Sequence, residues 1–217
     1  MSSITRNIAA IRQHLPQDVT MICVSKFHTV DAIMEAYHAG ERDFGESRVQ
    51  ELLHKRELLP QDIRWHFIGH LQTNKVKMIV PFVHLIHSVD SVRLLDTIHR
   101  EAEKIQRRVK ILLEVHVAKE DTKSGFTPEE LLTLHSRLSA LNYIEVCGIM
   151  GMATNTEDEH EIHRCFQTIK MLSDTYFNHM PTTISMGMSD DYRVAIEEGS
   201  TMIRIGSTIF GIRASKH

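Results

Sequence analysis

The chain has few cysteines. Only Cys23, Cys147 and Cys165 occur in 217 residues, an odd number without clustering. That argues against a disulfide framework and against a cysteine-based zinc site. Cys23 and Cys147 lie in apolar, strand-like runs, so the thiols are read as reduced core residues of a cytoplasmic protein. Long hydrophobic runs are also missing, and "MSSITRNIAAIRQHLPQ" at the start has no secretory h-region, so no membrane association is expected. Charge of one sign is not in excess. A net charge of -3 gives no electrostatic reason to expect nucleic acid or an anionic membrane as partner. With only five prolines and no Gly/Ser/Pro-rich break, residues 1–217 read as a single domain. Histidine is abundant, at fifteen residues, but the close pairs His66/His70, His84/His87 and His160/His163 match no HExxH or Cys/His pattern. No metal is expected.

What is present is an alternation. Short β-rich runs at 19–25, 42–46, 64–69, 83–88, 109–117, 144–149, 182–186 and 202–205 are separated by segments with apolar residues at i, i+3 and i+4. Thr127-Pro128 and Asp90 or Ser91 offer helix starts, and Gly40 and Gly199 offer stops. Repeated βαβ units imply a parallel sheet with right-handed crossovers, and eight of them close naturally into a (β/α)8 barrel. An open doubly wound sheet is the competitor, but no G-x-G-x-x-G follows the first strand. Residues 2–14 read as an extra N-terminal helix in the place of a last barrel helix, so the expected fold is a single TIM-type barrel with that addition.

In such a barrel, sites form at the C-terminal ends of the strands, and phosphate sites often follow strands seven and eight. Lys26 ends the first run, "MICVSK". After the seventh, Gly187 permits a tight backbone and Ser189 is expected to open a helix, giving a hydroxyl and free N–H groups for an anion. Arg204 interrupts the apolar eighth run and, if it points inward, needs a carboxylate or a polar ligand. Gly206-Ser207-Thr208 follows with uncluttered backbone and two hydroxyls. Each feature alone is ordinary: a surface lysine, an acidic first helical turn, a common Gly-Ser-Thr turn. Together, an amine, an anion cup and a group for a ring nitrogen suit pyridoxal 5′-phosphate. A phosphate-binding barrel enzyme without pyridoxal remains an alternative on the residues alone.

The stretches "VSK" (24–26), "AGERDFGESRVQE" (39–51), "WHFIGHLQTNK" (65–75), "TKSGF" (122–126), "GIMGMA" (148–153) and "SMGMSDDYRVAIEEGSTMIRIGSTIFG" (185–211) carry a resemblance across nearly the whole chain. The chain resembles the YggS/PROSC family of pyridoxal phosphate homeostasis proteins, themselves similar to the N-terminal barrel of alanine racemase. The resemblance implies that Lys26 forms the Schiff base, that Ser189 and the Gly206-Ser207 backbone hold the phosphate, and that Arg204 faces the pyridine nitrogen. It places Met186 near the ring, where the family usually has leucine, and Ser47 where the family commonly has asparagine after "FGE". Asn74 offers an amide on the rim after strand three or a helix cap, and Lys119 and Lys123 are rim lysines that an anionic ligand or second cofactor would meet. Trp65 is a candidate fluorescence reporter of the cofactor. A charged arginine at the ring nitrogen disfavours its protonation and weakens the electron sink. Racemisation needs in addition a second acid/base, which the racemases draw from a second domain of a partner subunit. The expected function is therefore reversible holding of pyridoxal 5′-phosphate in the cell, without catalysis, with release to apoenzymes as recipients. A monomer is expected, and the alternative is a small amino-acid racemase using the same cofactor.

Overall fold

The computed structural model describes residues 2–118 and 124–211, so Lys119 and Lys123 lie outside the described residues. Eight strands form the sheet: β1 (Thr20–Val24), β2 (Asp43–Glu46), β3 (Arg64–Phe67), β4 (Leu85–Val89), β5 (Val109–Glu114), β6 (Ile144–Met150), β7 (Thr183–Ser185) and β8 (Met202–Ile205). They pair in parallel in chain order, and β8 closes on β1 from Thr20↔Met202 to Cys23↔Ile205. This is the (β/α)8 barrel that the alternation implies.

The helices are α1 (Ser3–His14), α2 (Val30–His38), α3 (Val49–Leu58), α4 (Val76–Ile79), α5 (Val92–Lys104), α6 (Pro128–Thr133), α7 (His135–Leu138), α8 (Glu159–Tyr176), α9 (Tyr192–Glu197) and α10 (Ser207–Phe210). Their ends follow local chemistry. Ser2, Thr29, Ser91 and Asp158 each accept a first-turn N–H, and Thr127 with Glu130 forms a reciprocal capping box. Helix α1 buries Ile4, Ile8 and Ile11 on one face, and Asn7 donates a 3.0 Å hydrogen bond to the Ile209 carbonyl. The extra helix thus packs beside the short α10 after the last strand.

Successive side chains of a strand face opposite sides of the sheet. On the outer side Cys23, Phe44, Trp65, Ile86, Ile111, Ile149, Ile184 and Ile203 join one continuous apolar core with the helices. On the inner side Ile22, Leu85, Leu112, Met150 and Met202 form a second, small cluster. The interior also holds polar groups: Asp43, His66, His87, Ser185, Glu114 and Arg204 are all buried. Strand β6 shows how tightly the barrel closes. Its register with β5 shifts between Ile111 and Leu112, and a Cβ at Gly148 would lie 1.8 Å from the Thr183 carbonyl oxygen. Only glycine fits there.

Candidate functional site at the barrel mouth

Lys26 sits just past the tip of β1 in a loop whose shape is imposed from below. Ser25 donates to Glu46 Oε1 at 2.6 Å. The buried Lys55 ammonium of α3 donates to the Ser25 carbonyl (2.7 Å), Glu46 Oε1 (2.8 Å) and Glu51 Oε1 (2.6 Å). Glu51 Oε1 also accepts the Phe27 N–H. Phe27 has φ +67, the left-handed region that a residue with a Cβ rarely occupies. Such strain persists only where surroundings over-determine it, and here three ion-paired side chains do so. Burial pushes the Glu46 carboxyl up, and the Lys55 charge opposes that shift.

The opposite wall comes from the β7–α9 connection. Gly187 has φ +94, and a Cβ there would approach Ala195 Cβ to 2.6 Å, so the chain can turn closely over α9. Ser189 does not open that helix. Residues 189–191 form a turn, α9 begins at Tyr192, and the Asp191 carboxylate accepts the Met188 N–H at 2.6 Å. The Ser189 hydroxyl instead accepts from the Gly206 N–H (3.2 Å) and, more weakly, the Thr208 N–H (3.4 Å). The two loops expected to share an anion cup are therefore bonded to each other.

Arg204 rises from β8 into the barrel and is only 5% exposed. Its Nη1 donates to the Ser185 carbonyl and hydroxyl, both at 2.8 Å, and its Nη2 donates to the Gly151 carbonyl at 3.2 Å. No carboxylate touches it in these bonds. Burial lowers its pKa to about 10, against the more distant charges of Asp191 and Glu114, so it stays cationic at neutral pH. Glu114 is pushed up to about 7, chiefly by burial, with a hydrogen bond from Ser124 opposing.

Lys26, Ser189, Arg204, Gly206 and Ser207 line one cavity of about 460 Å³, with Val24, Ile68, Met152 and Met188 as apolar walls. That volume is in the usual range for a small-molecule site, roughly 300–1,000 Å³. His28, also at the rim, stacks on Phe210 with ring centroids 4.7 Å apart. The set fits pyridoxal 5′-phosphate on the donors themselves: a primary amine, hydroxyls beside backbone N–H groups, and a buried cation with only neutral acceptors.

Two expected residues are elsewhere. Met186 is fully buried in the outer core and does not line the cavity. It shares the parity of Ile184, and Ser185 between them takes the inward position. Ser47 lies past the end of β2 against Gly69, where a Cβ on Gly69 would come 2.4 Å from the Ser47 carbonyl oxygen, and it lines a separate pocket with Arg48, His70 and Lys75. Asn74 lines a separate, larger depression together with Lys77, Arg93 and Arg100. Trp65 packs on Phe44 in the outer core, away from the cavity (centroids 6.2 Å apart). Met152, Met188 and Asp190 line the cavity without having been singled out by sequence. The one available signal was position, since all three lie in the loops that follow β6 and β7.

The family described as alanine racemase, N-terminal domain, matches residues 1–214. A pyridoxal phosphate homeostasis protein of Schizosaccharomyces pombe is 36% identical over 226 residues, covering 100% of this chain and 95% of that protein. The chain belongs to the YggS/PROSC family of pyridoxal phosphate homeostasis proteins. Another YggS/PROSC relative, from Aquifex aeolicus, is 41% identical over 197 residues, covering 89% of this chain and 86% of that one. The family member PipY of Synechococcus elongatus, solved with pyridoxal phosphate bound, superposes with a TM-score of 0.89 at 37% identity, covering 96% of this chain and all of that one. Alanine racemase of Clostridium difficile shares the barrel at a TM-score of 0.75 and 17% identity, a likeness of fold that covers 57% of the racemase. No helix among the described residues of this YggS/PROSC member is long and apolar enough to cross a membrane.

Proposed function

We propose that the barrel binds pyridoxal 5′-phosphate reversibly through Lys26, shields its aldehyde and yields it to apoenzymes, without turning over a substrate of its own. One observation carries this reading: the amine, the serine-bonded loop pair and the buried guanidinium line a single cavity. The cofactor supplies an aldehyde that condenses with a primary amine. Lys26 provides that amine from a loop pinned by Lys55, Glu46 and Glu51. Ser189, with the backbone of Gly206 and Ser207, would hold the phosphate, and the apolar walls would exclude water from the ring. Arg204 would face the ring nitrogen. A cation there keeps the proton off that nitrogen, so charge developing on a substrate α-carbon is poorly stabilised. That supports storage over racemisation. Residues 1–217 would act as one unit, as a monomer in the cytoplasm.

Titration of the purified protein with pyridoxal phosphate should give a visible absorbance band, and D/L-alanine interconversion should stay at background. No band would refute binding. Interconversion at an enzyme-like rate would refute the storage reading.

A further inference from the structure

The polar side chains inside the barrel are not scattered. Arg64, half-exposed at the N-terminal end of β3, grips the Asp43 carboxylate at both oxygens (2.7 and 2.5 Å). Asp43 Oδ1 lies 3.0 Å from His66 Nε2, His66 Nδ1 lies 2.9 Å from His87 Nε2, and His87 Nδ1 lies 3.0 Å from Ser185 Oγ. Ser185 Oγ accepts from Arg204 Nη1 at 2.8 Å. The contacts make a continuous line from the floor of the barrel to the guanidinium at its mouth.

The chemistry of the line fixes every hydrogen. Burial would raise the Asp43 carboxyl, but hydrogen bonds from His66 and Arg64 overrule it and hold the group well below the usual range, so Asp43 is an acceptor only. His66 must therefore carry its hydrogen on Nε2. Burial keeps both imidazoles neutral, and a neutral ring has one donor and one acceptor nitrogen. His66 Nδ1 then accepts from His87 Nε2–H, and His87 Nδ1 accepts the Ser185 hydroxyl hydrogen. The Ser185 oxygen is left to accept from Arg204. The reverse polarity would aim a lone pair of His66 at the Asp43 carboxylate, which is repulsive.

We propose that Asp43, His66, His87 and Ser185 form a one-way hydrogen-bond relay that positions Arg204 from the opposite end of the barrel. Hydrogen bonds that all point one way polarise one another in a low-dielectric interior. Negative charge at Asp43 thus makes Ser185 Oγ a better acceptor, and Arg204 is held without a carboxylate in contact that would compete for its donors. Asp43, His66, His87 and Ser185 are positioning residues. The proposal rests on the reading of Arg204 as the group that faces the ring nitrogen.

Two measurements test it. Long-range ¹H–¹⁵N spectra of the full chain, histidine-labelled and free of cofactor, should show His66 and His87 as neutral Nε2–H tautomers; His66→Gln and His87→Gln assign the signals. In Asp43→Asn the amide can donate to His66, so Nδ1–H signals should appear. An Nδ1–H or doubly protonated ring in the wild type at neutral pH would overturn the relay. In the second measurement, Ser185→Ala cuts the line while leaving Arg204 both backbone acceptors. It should weaken pyridoxal phosphate binding about tenfold and displace the absorbance maximum. Wild-type affinity and spectrum in both Ser185→Ala and Asp43→Asn would overturn the positioning role. A wild type that binds no pyridoxal phosphate would overturn the proposed function, and the tautomers would then decide the relay alone.

Discussion

The two faces of one sheet do different work. Outside, Phe44, Trp65, Ile184 and Ile203 pack against helices in a continuous apolar layer. Inside, five apolar side chains share the space with a line of buried polar groups that ends at the cavity. A residue one place along a strand moves from the apolar layer to the polar interior. Stability and binding should therefore separate by parity.

The largest effect is expected on the outer side. Phe166→Ala empties a fully buried position of the outer core and should cost about 3–5 kcal/mol in denaturant unfolding. Cofactor affinity of the folded fraction should be unchanged; a parallel loss of affinity would break the separation. Next comes the loop that closes the cup. Ser189→Ala removes the hydroxyl that accepts from Gly206 and Thr208. It should weaken pyridoxal phosphate binding about tenfold while unfolding changes by about 1 kcal/mol or less.

A further effect is a pH slope from the inner face. Glu114 titrates near 7 in the folded chain against 4.5 ordinarily, because burial disfavours its charge. Between those values the folded state holds the extra proton, so this group lowers stability as pH rises. Glu114→Gln removes that slope. The variant should gain on the wild type from pH 4.5 to 7 and hold the gain above; a constant difference would contradict the assignment.

Much of this division is legible in the sequence. The eight runs gave the strands, and the apolar run that ends at Lys26 placed an amine on the functional rim. Arg204 two residues after Met202 has the same inward parity. Parity also explains why Met186, placed near the ring by family position, is buried in the outer core: it shares the outward side with Ile184. Ser47 lines a different pocket for another reason, since alternation stops where β2 ends at Glu46. The start of α9 slipped because an acidic pair reads as a first helical turn, whereas the Asp191 carboxylate accepts the Met188 N–H ahead of the helix. The interior relay was out of reach. It joins residues from four strands whose mutual register no local pattern encodes.

Borohydride treatment of the protein loaded with pyridoxal phosphate, followed by peptide mapping, tests the central claim most directly. The account predicts one modified lysine, Lys26, and no visible band in Lys26→Ala that remains folded. A modified lysine elsewhere, or a band that survives in Lys26→Ala, would contradict it.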